Sequence, residues 1–437
     1  MTMQILDWND LDAAGRREAL ARPRLDSLHE VEQLARSIIK EVRRDGDAAL
    51  LRFAERFDRA KLQTLQVTPE EFDYAETQLD RRQIAAIETA IDNVRRFHAA
   101  QLSAPLVMEV MPGVRCERVF RPIPAVGLYV PAGSAPLPST VIMVAVPAAL
   151  AGCPKRVLCT PPAADGRANA AVLVAARRCG ITKVFKAGGA QAVAAMAYGT
   201  ASIPKVDKIY GPGTALTTAA KQLVAADAEG AAFDLPAGPS EVLVIADEAA
   251  NAAFVAADLL AQAEHDVRAQ ALLVTDSRPL AEAVAVEFER QRAGLSRRSI
   301  LQESAANCRA IVVPDIVTAL TVSNDYAPEH LIVQTREPRA LLDGVASAGS
   351  VFLGAWSPES MGDYCSGTNH VLPTYGYARA YSGLSLVDFQ KRMTVQELTA
   401  DGIRSLGPVA ETLASLEGLD AHARAVTIRL ESLDGAK

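Results

Sequence analysis

The sequence predicts an α/β protein with two parallel-sheet α/β domains (incomplete Rossmann-like), a small N-terminal helical segment and a C-terminal helical arm. From residue 126 onward, short apolar strands alternate with Ala-rich helical runs, a pattern typical of a parallel sheet covered by helices. The chain has 437 residues, and single hydrophobic cores stop growing at about 250–300 residues. We therefore expect more than one domain.

Before the strands begin, the pattern is mainly helical. Residues 1–25 are predicted to form a small helical segment. Residues 28–57 and 81–103 have helical periodicity, and the turn RDGD at 44–47 separates two helices. The passage LVMEVMPGVRCERVFRPI then predicts a hairpin with Pro112 and Gly113 at its turn.

Two series of strands follow, and the Gly/Pro-rich stretch LPAGPSE at 235–241 marks their junction. The first series is VGLYV, RVLCT, KVFKAG, DKIYGPG and EVLVIAD, and the second is ALLVT, AIVVPD, HLIVQT and SVFLG. After about residue 385 the pattern predicts no further strand, only two helical runs over 385–418 and 420–433. The predicted domains are an N-terminal segment (1–25), a main catalytic domain (26–128 with 242–384), an NAD-binding Rossmann-like domain (129–241) and a C-terminal dimerisation arm (385–437).

Composition narrows the class of protein. Hydrophobic residues make up 49% of the chain and charged residues 22%, which is ordinary for a soluble globular protein. The net charge of −7 argues against a nucleic-acid partner, which would require a basic face. The most apolar stretch, TVIMVAVPAALAG, contains Pro147 and is too short to span a bilayer, so no membrane partner is expected. The N-terminus has no apolar signal segment, and we expect a cytoplasmic location.

Cysteine and histidine usage limits the chemistry. The six cysteines are scattered without a CxxC pair, which fits neither a disulfide framework nor a thiolate zinc site. Of the six histidines, four follow residue 260. Imidazole chemistry is therefore expected in the second half of the chain.

The stretch DLLAQAEHD at 258–266 predicts the end of a helix, with Gln262 and His265 on one face. Their carboxamide oxygen and imidazole can converge on a bound cation, although a solvated polar helix end explains the same residues. In NDYAPEHLIV, Glu329 and His330 stand side by side just before a strand, where two proton-transfer groups can address neighbouring substrate atoms. An ordinary polar turn is the alternative.

Two further segments offer polar donors. The long loop GAWSPESMGDYCSGTNHVLPTYG carries Asp363, its best metal-binding carboxylate, and His370, for which a structural role is as plausible. The segment SLEGLDAHARAV offers Glu417 and His422 just before the last helix. Together Gln262, His265, Asp363 and His422 form an oxygen and nitrogen donor set suited to zinc or a similar divalent ion.

Three glycine-rich turns could admit a nucleotide phosphate. They are VGLYVPAGS, AGGAQAVAA and YGPGT, each a strand-to-loop turn. None matches the GxGxxG fingerprint, so an incomplete dinucleotide site and ordinary turns both remain open.

The chain resembles the histidinol dehydrogenase family over essentially its whole length. The resemblance rests on seven motifs in the family's order: VDKIYGPG, DLPAGPSEVLVIAD, DLLAQAEHD, YAPEHL, GDYCSGTNHVLPT, DFQKRMTVQEL and EGLDAHARAV. It implies a zinc-dependent, NAD-linked oxidation of L-histidinol to L-histidine through the aldehyde, with one Zn²⁺ per subunit. It also implies an intertwined homodimer in which the C-terminal arm completes the partner's site.

The resemblance assigns roles position by position. It implies zinc ligands at Gln262, His265, Asp363 and His422, and a catalytic pair of Glu329 and His330. The implied substrate contacts are Ser240, Gln262, His265, His330, Asp363, Glu417 and His422. The implied NAD contacts are Tyr129, Gln191 and Thr214, where Thr214 replaces the Asn of the family's GPGN motif.

The implied mechanism uses His330 as the base for the hydroxyl proton and Glu329 to activate water at the aldehyde stage. A thiohemiacetal on Cys116 or Cys153 is the rival for that stage. Three other functions stay open from the sequence: a related zinc/NAD alcohol dehydrogenase acting on another small amino or hydroxy alcohol, a zinc hydrolase, and a non-catalytic dimer held by zinc.

Overall fold

The computed structural model describes residues 3–23, 28–132, 136–236 and 238–435. The strands are β1 (Gln4–Asp7), β2 (Leu106–Met111), β3 (Val114–Pro122), β4 (Ala125–Tyr129), β5 (Lys155–Thr160), β6 (Val184–Lys186), β7 (Lys208–Tyr210), β8 (Ala232–Phe233), β9 (Glu241–Ala246), β10 (Gln270–Thr275), β11 (Arg309–Val312), β12 (His330–Gln334), β13 (Ser350–Leu353) and β14 (Gln390–Leu398). The helices are α1 (Ala13–Ala19), α2 (Leu28–Asp45), α3 (Asp47–Phe53), α4 (Pro69–Thr77), α5 (Arg81–Ala99), α6 (Pro138–Leu150), α7 (Ala170–Arg178), α8 (Gly189–Tyr198), α9 (Ala215–Ala225), α10 (Ala252–Ala263), α11 (Arg278–Arg292), α12 (Arg298–Ser304), α13 (Ile316–Tyr326), α14 (Glu359–Tyr364), α15 (Ala400–Leu416) and α16 (Asp420–Asp434).

The described residues divide into two compact units. The first comprises residues 1–101 and 124–389, and the second comprises 102–123 and 390–437. Both parallel sheets lie in the first unit, which confirms the predicted fold class of two parallel-sheet α/β parts. The four predicted domain boundaries remain a prediction.

A six-stranded parallel sheet forms one part of the first unit, with strand order β1-β11-β10-β9-β12-β13. Its central strands are buried on both faces, which explains why they are nearly continuous apolar runs. Along β9, Val242 and Val244 pack into one core, whereas Leu243 and Ile245 pack into the core on the opposite face.

A five-stranded parallel sheet, with order β6-β5-β4-β7-β8, forms the other part. From β4 the chain moves to β5 and β6 on one side, and later returns to β7 on the other side of β4. The boundary between β4 and β7 is therefore a topological switch point, where open α/β sheets commonly bind ligands at the carboxyl ends of the strands.

The second unit is a three-stranded antiparallel sheet, β14-β3-β2, joined to α15 and α16. The hairpin of β2 and β3 forms as predicted, and Gly113 at its turn has φ of +77°. Strand β14 pairs with β3 over nine residues, from Gln390 to Leu398.

Several local predictions were wrong. EVLVIAD was predicted in the first series of strands, but it forms β9 in the six-stranded sheet with the strands of the second series. The first residues are not helical throughout, because Gln4–Asp7 forms β1 and pairs with β11 at the edge of the six-stranded sheet. The run after residue 385 is not only helical, because Gln390–Leu398 finds a strand partner in β3 that is distant in sequence. The loop after β13 contains the short helix α14. Gly133 and Ser134 of VGLYVPAGS and Ala237 of LPAGPSE lie outside the described residues.

Within the described ranges, every helix is too short or too polar to cross a membrane.

Candidate active site

Helix α10 carries the first two predicted donors at its C-terminal end. Asn251 caps the start of the helix by accepting hydrogen bonds from the N–H groups of Ala253 and Phe254. The helix ends at Ala263, with Glu264 as its C-cap residue. Gln262 is fully buried, whereas His265, which follows the cap, is exposed. The imidazole of His265 is therefore accessible to a ligand that enters from solvent.

The predicted catalytic pair lies where β12 begins. His330 is the first residue of β12, Glu329 directly precedes it, and both side chains are buried. The carboxylate of Glu329 accepts a hydrogen bond from the backbone N–H of Glu241, with 2.9 Å between N and Oε2. His330 Nδ1 lies 3.2 Å from the carbonyl oxygen of Glu241, so we assign the Nδ1–H tautomer from this hydrogen bond. One peptide unit of β9 thus contacts both side chains.

In the neutral form of His330, the assigned tautomer makes Nε2 the proton-accepting atom. In the described part of the chain, this buried atom has no hydrogen-bond partner. Its nearest charged neighbour is Asp363 Oδ1, at 3.5 Å. When the imidazole is neutral, this buried Nε2 at the edge of a polar cluster can accept a proton from a substrate hydroxyl group.

Helix α14 brings two carboxylates to the same cluster, because Glu359 and Asp363 are four residues apart and share a helix face. Glu359 is buried, and its Oε2 lies 3.9 Å from His330 Nδ1. We orient the carboxamide of Gln262 with its nitrogen toward Glu359, since in this orientation it donates to both carboxylate oxygens, at 2.7 and 3.0 Å. The buried carboxylate of Glu359 thus fixes the orientation of the Gln262 side chain.

The electrostatics of the cluster reflect an excess of buried carboxylates. Burial raises the pKa of Glu329 to about 8, against the opposing effect of His330. Burial also raises the pKa of Glu359 well above its usual value. Although burial lowers the pKa of His330, the surrounding carboxylates of Glu359, Glu329 and Asp363 outweigh it, and the net pKa is well above its usual value. A divalent cation would compensate this negative charge.

The donor set fits a divalent metal ion. Among the described residues, one ligand atom each from His265, Glu359 and Asp363 lies within 4.8 Å of the others. Imidazole and carboxylate donors are common zinc ligands, and three protein ligands with an open position are typical of catalytic zinc sites. His370 supports this arrangement, since its Nδ1 donates to the carbonyl oxygen of Asp363 at 2.7 Å. His265, Glu359 and Asp363 thus offer zinc three suitable donors at this place.

The cluster lies at the amino-terminal edge of the six-stranded sheet, where β9 and β12 begin. Val242 of β9 and His330 of β12 are register partners, so Ser240 and Glu329 precede adjacent strands. Helix α10 connects parallel strands and runs opposite to them, which brings its C-terminal end to this same edge. Ser240, which directly precedes β9, is half-buried.

The predicted NAD contacts lie at the carboxyl edge of the five-stranded sheet. Tyr129 is the last residue of β4, and its hydroxyl oxygen accepts a hydrogen bond from the N–H of Gly189 at 3.0 Å. Gln191 is buried in the first turn of α8. Thr214 is the N-cap residue of α9 and accepts a hydrogen bond from the N–H of Thr217 at 3.4 Å. Two helix N-termini therefore meet beside the switch point, an arrangement that attracts phosphate groups.

A buried ion pair holds the glycine-rich turn after β7 in place. Lys221 Nζ lies 2.5 Å from Asp234 Oδ1 and donates to the carbonyl oxygen of Gly211 at 2.9 Å. The other oxygen of Asp234 accepts from the N–H of Gly211. Gly211 has φ of +120°, and a Cβ at this position would lie 2.0 Å from the carbonyl oxygen of Tyr129. Only glycine permits this close approach to the end of β4.

Comparisons with known proteins agree over the full length of the chain. A family model for histidinol dehydrogenase matches residues 21–430. The histidinol dehydrogenase of Vibrio cholerae serotype O1 is 53% identical over 435 residues, which covers 100% of both chains. That of Campylobacter jejuni strain RM1221 is 52% identical over 431 residues, covering 99% of this chain and 100% of the relative.

The fold agrees with a solved structure as well. The crystal structure of histidinol dehydrogenase from Elizabethkingia anophelis superposes with a TM-score of 0.94 at 44% sequence identity, covering 99% of each chain. The chain belongs to the histidinol dehydrogenase family. As a member of the histidinol dehydrogenase family, it is an enzyme of the oxidoreductase class, and the alternative of a different alcohol dehydrogenase is not favoured.

The structure brings together most of the residues that the family motifs single out. Gln262, His265, Glu329, His330 and Asp363 form one cluster in the first unit. The two candidates from the C-terminal arm belong to the second unit. Glu417 is the exposed C-cap residue of α15, and His422 is exposed in the first turn of α16, not before that helix as predicted.

Sequence reasoning missed Glu359, Glu241 and Asp258. Glu359 lies four residues before Asp363, and this spacing could have identified it if the loop had been recognised as helical. Asp258 lies four residues before Gln262 on α10, and its Oδ2 accepts a hydrogen bond from Gln334 Nε2 at 2.6 Å. Glu241 acts through its backbone, and no side-chain pattern in the sequence indicates that.

Proposed function

We propose that this enzyme oxidises L-histidinol to L-histidinaldehyde and then to L-histidine, the last two steps of histidine biosynthesis. The proposal includes one Zn²⁺ per subunit and NAD as the hydride acceptor. The single observation that carries it is the buried pair of Glu329 and His330 beside the donors Gln262, His265 and Asp363. A cytoplasmic location remains the prediction from the sequence.

The proposed ligands of zinc are Gln262, His265, Asp363 and His422. These residues would hold zinc, which would supply Lewis-acid coordination of the substrate, and NAD would supply the hydride acceptor for each oxidation. Ser240 and Glu417 are proposed as further substrate contacts. Tyr129, Gln191 and Thr214 are proposed to contact NAD; their support is the position of all three at strand-to-helix turns beside the switch point.

His330 and Glu329 divide the proton transfers in the proposed mechanism. His330 Nε2 takes the hydroxyl proton in the alcohol oxidation, while the Glu241 carbonyl oxygen holds Nδ1–H and so fixes the tautomer. Glu329, in its ionised form, takes a proton from the water that attacks the aldehyde carbon. The thiol of Cys153 is buried, which argues against its attack on that carbon, and Cys116 belongs to the second unit.

The decisive experiment measures NADH formation from L-histidinol by the purified protein, with and without a chelator. We expect two NADH per substrate, loss of activity after chelation, and recovery when zinc is restored. Absence of NADH formation would refute the proposed reaction. Full activity of a protein shown to be metal-free would refute the role of zinc.

We further propose a homodimer in which the partner's C-terminal arm completes each site with His422 and Glu417. Support comes from the apolar surface of the second unit, whose two-edged sheet and helices expose large hydrophobic side chains: Leu106, Val107, Met108, Val110, Met393, Val395, Leu398, Val409, Leu413, Leu416, Leu419 and Ile428. Monomeric proteins rarely leave so many apolar side chains exposed close together, and open sheet edges favour pairing.

Subunit complementation tests the shared site. H265A and H422A should each be inactive alone. If each site combines His265 of one chain with His422 of the other, refolding the two variants together in equal amounts restores roughly a quarter of wild-type activity, because half of the dimers are mixed and each has one intact site. No recovery in dimers shown to be mixed would refute the shared site.

A further inference from the structure

We infer that Arg22 is a positioning residue for the catalytic pair, acting as a clamp on the two backbone segments that hold Glu329 and His330. This inference rests on the proposed function, because it assigns a cause to the geometry of that pair. Arg22 lies in the segment that follows α1, remote in sequence from both strands.

The first set of contacts joins Arg22 to the start of β9. Arg22 Nε and Nη2 donate to the two carboxylate oxygens of Glu241, at 2.6 and 2.9 Å, in a bidentate ion pair. Both side chains are largely buried, with exposed fractions of 13% and 2%. A bidentate arginine–carboxylate pair fixes orientation as well as distance, which a single contact does not.

The second set of contacts joins Arg22 to the turn that leads into β12. Nη2 of Arg22 also donates to the carbonyl oxygens of Tyr326 and Ala327, at 2.8 and 3.3 Å. The guanidinium carbon lies 4.0 Å from the centre of the Tyr326 ring, and the Tyr326 hydroxyl lies 2.9 Å from Glu241 Oε2. The same guanidinium group thus joins the start of β9 to the start of the turn.

The turn that Arg22 contacts is strained, and it directly precedes the catalytic pair. Ala327 is in the left-handed region, with φ of +55°, which costs a residue other than glycine about 1 kcal/mol or more. Pro328 follows, and then Glu329 and His330. The hydrogen bond from Arg22 to the carbonyl oxygen of Ala327 stabilises this left-handed conformation directly at the strained residue.

The clamp acts on the catalytic groups through one peptide unit. The backbone N–H of Glu241 donates to Glu329, and its carbonyl oxygen contacts His330 Nδ1. The side chain of Glu241, which Arg22 holds, therefore sets the position of the two backbone atoms that orient the pair. Arg22 is tied to the pair both through Glu241 and through the turn.

The test compares R22K with the matched control R178K. Arg178 also contacts two carboxylates, those of Glu76 and Glu88, but no residue of the candidate site. Lysine keeps the charge but cannot donate in the forked geometry. We expect R22K to lower kcat about 10- to 100-fold, because misplacement by about 1 Å is that costly, while KM and zinc content stay within twofold of wild type. R178K should match wild type.

Several results would overturn the clamp. A kcat of R22K within twofold of wild type would do so, as would a loss of kcat accompanied by equal losses of zinc and substrate affinity, since that indicates general unfolding. The double variant R22K/E241Q should lose no more activity than the worse single variant, because both cut one linkage, and additive losses would contradict it. Guanidinium added to R22A should partly restore kcat, and failure of rescue in folded R22A also counts against the clamp.

Hydrogen–deuterium exchange separates the clamp from the proposed reaction. R22K should speed exchange in the peptides that contain Glu241 and residues 327–334, and R178K should not. This readout needs no substrate. If wild type forms no NADH from L-histidinol, the proposed function fails while exchange still decides the clamp; unchanged exchange in R22K refutes the clamp alone.

Discussion

Replacing Asp258 with asparagine should stabilise the metal-free protein at neutral and alkaline pH. Asp258 lies on α10, one turn before Gln262, and is 5% exposed. Its carboxylate accepts one hydrogen bond, from Gln334, and no ion pair to it occurs among the described residues. Burial therefore raises its pKa from the ordinary 3.8 to about 7.

The sign and size of the effect follow from this pKa. Below pH 4 the carboxyl group is protonated in both the folded and the unfolded chain and makes no difference. Between pH 4 and 7 it ionises only in the unfolded chain, so the free energy of unfolding falls as the pH rises. Since one pKa unit is worth about 1.4 kcal/mol, the loss levels off above pH 7 at about 4 kcal/mol.

D258N lacks this titration and keeps a similar shape. The free energy of unfolding of D258N should therefore rise relative to that of wild type by about 3 kcal/mol between pH 5 and pH 8. This corresponds to a difference of roughly 3 °C in Tm for a chain of this length. The assay is calorimetric unfolding of both metal-free proteins at several pH values. D315N is the control, because the pKa of the exposed Asp315 is already lowered by hydrogen bonding to the Thr318 N–H, so its difference from wild type should stay constant over this range.

If the difference in stability between D258N and wild type stays constant or shrinks between pH 5 and pH 8, the reasoning is refuted. Such a result would mean that Asp258 is ionised in the folded protein despite its burial.

Four further predictions concern the proposed reaction. H330N should lose about 10²- to 10⁴-fold in kcat with zinc still bound, measured by NADH formation and metal analysis; near-normal turnover would exclude His330 as the base. The pKa of Glu329 is raised to about 8, and only its ionised form accepts a proton, so kcat at saturating substrate should rise with pH through about 8. E329Q should lose this rise of kcat with pH. If E329Q keeps the rise, the titrating group is not Glu329. E359Q should weaken zinc binding about 10- to 100-fold in a chelator competition, because Glu359 orients the carboxamide of Gln262; an unchanged zinc affinity would contradict that role. T214N should retain the helix cap and lower KM for NAD, since asparagine caps equally well and adds an amide donor; an unchanged or higher KM would show that position 214 does not limit NAD binding.

Most strands of the two parallel sheets could be predicted from the amino-acid pattern alone. The strands buried on both faces, such as EVLVIAD and ALLVT, are continuous apolar runs between turn residues, and this local signal needs no knowledge of their neighbours. The pairing of Glu329 with His330 and of Gln262 with His265 was also visible, because each pair lies within one short segment. The ordered family motifs supplied the remaining candidates.

Which distant segments meet could be established only from the three-dimensional structure. Strand β14 was missed because its alternation is weak and its stabilising partner, β3, lies more than 250 residues earlier. Strand β1 was missed for a similar reason, since it forms by pairing with β11 at a sheet edge. Backbone hydrogen bonds between remote segments leave no periodic pattern in either sequence.

The same limit applies to the catalytic pair. The sequence showed two adjacent proton-transfer residues, but their orientation comes from the backbone of Glu241, and Glu241 is held by Arg22 from the N-terminal segment. A peptide unit contacts its neighbours through N–H and C=O groups that every residue except proline carries, so this role has no residue-type signal. The motifs therefore identified the candidate reacting groups, and the pairing of β9 with β12 shows how they are held.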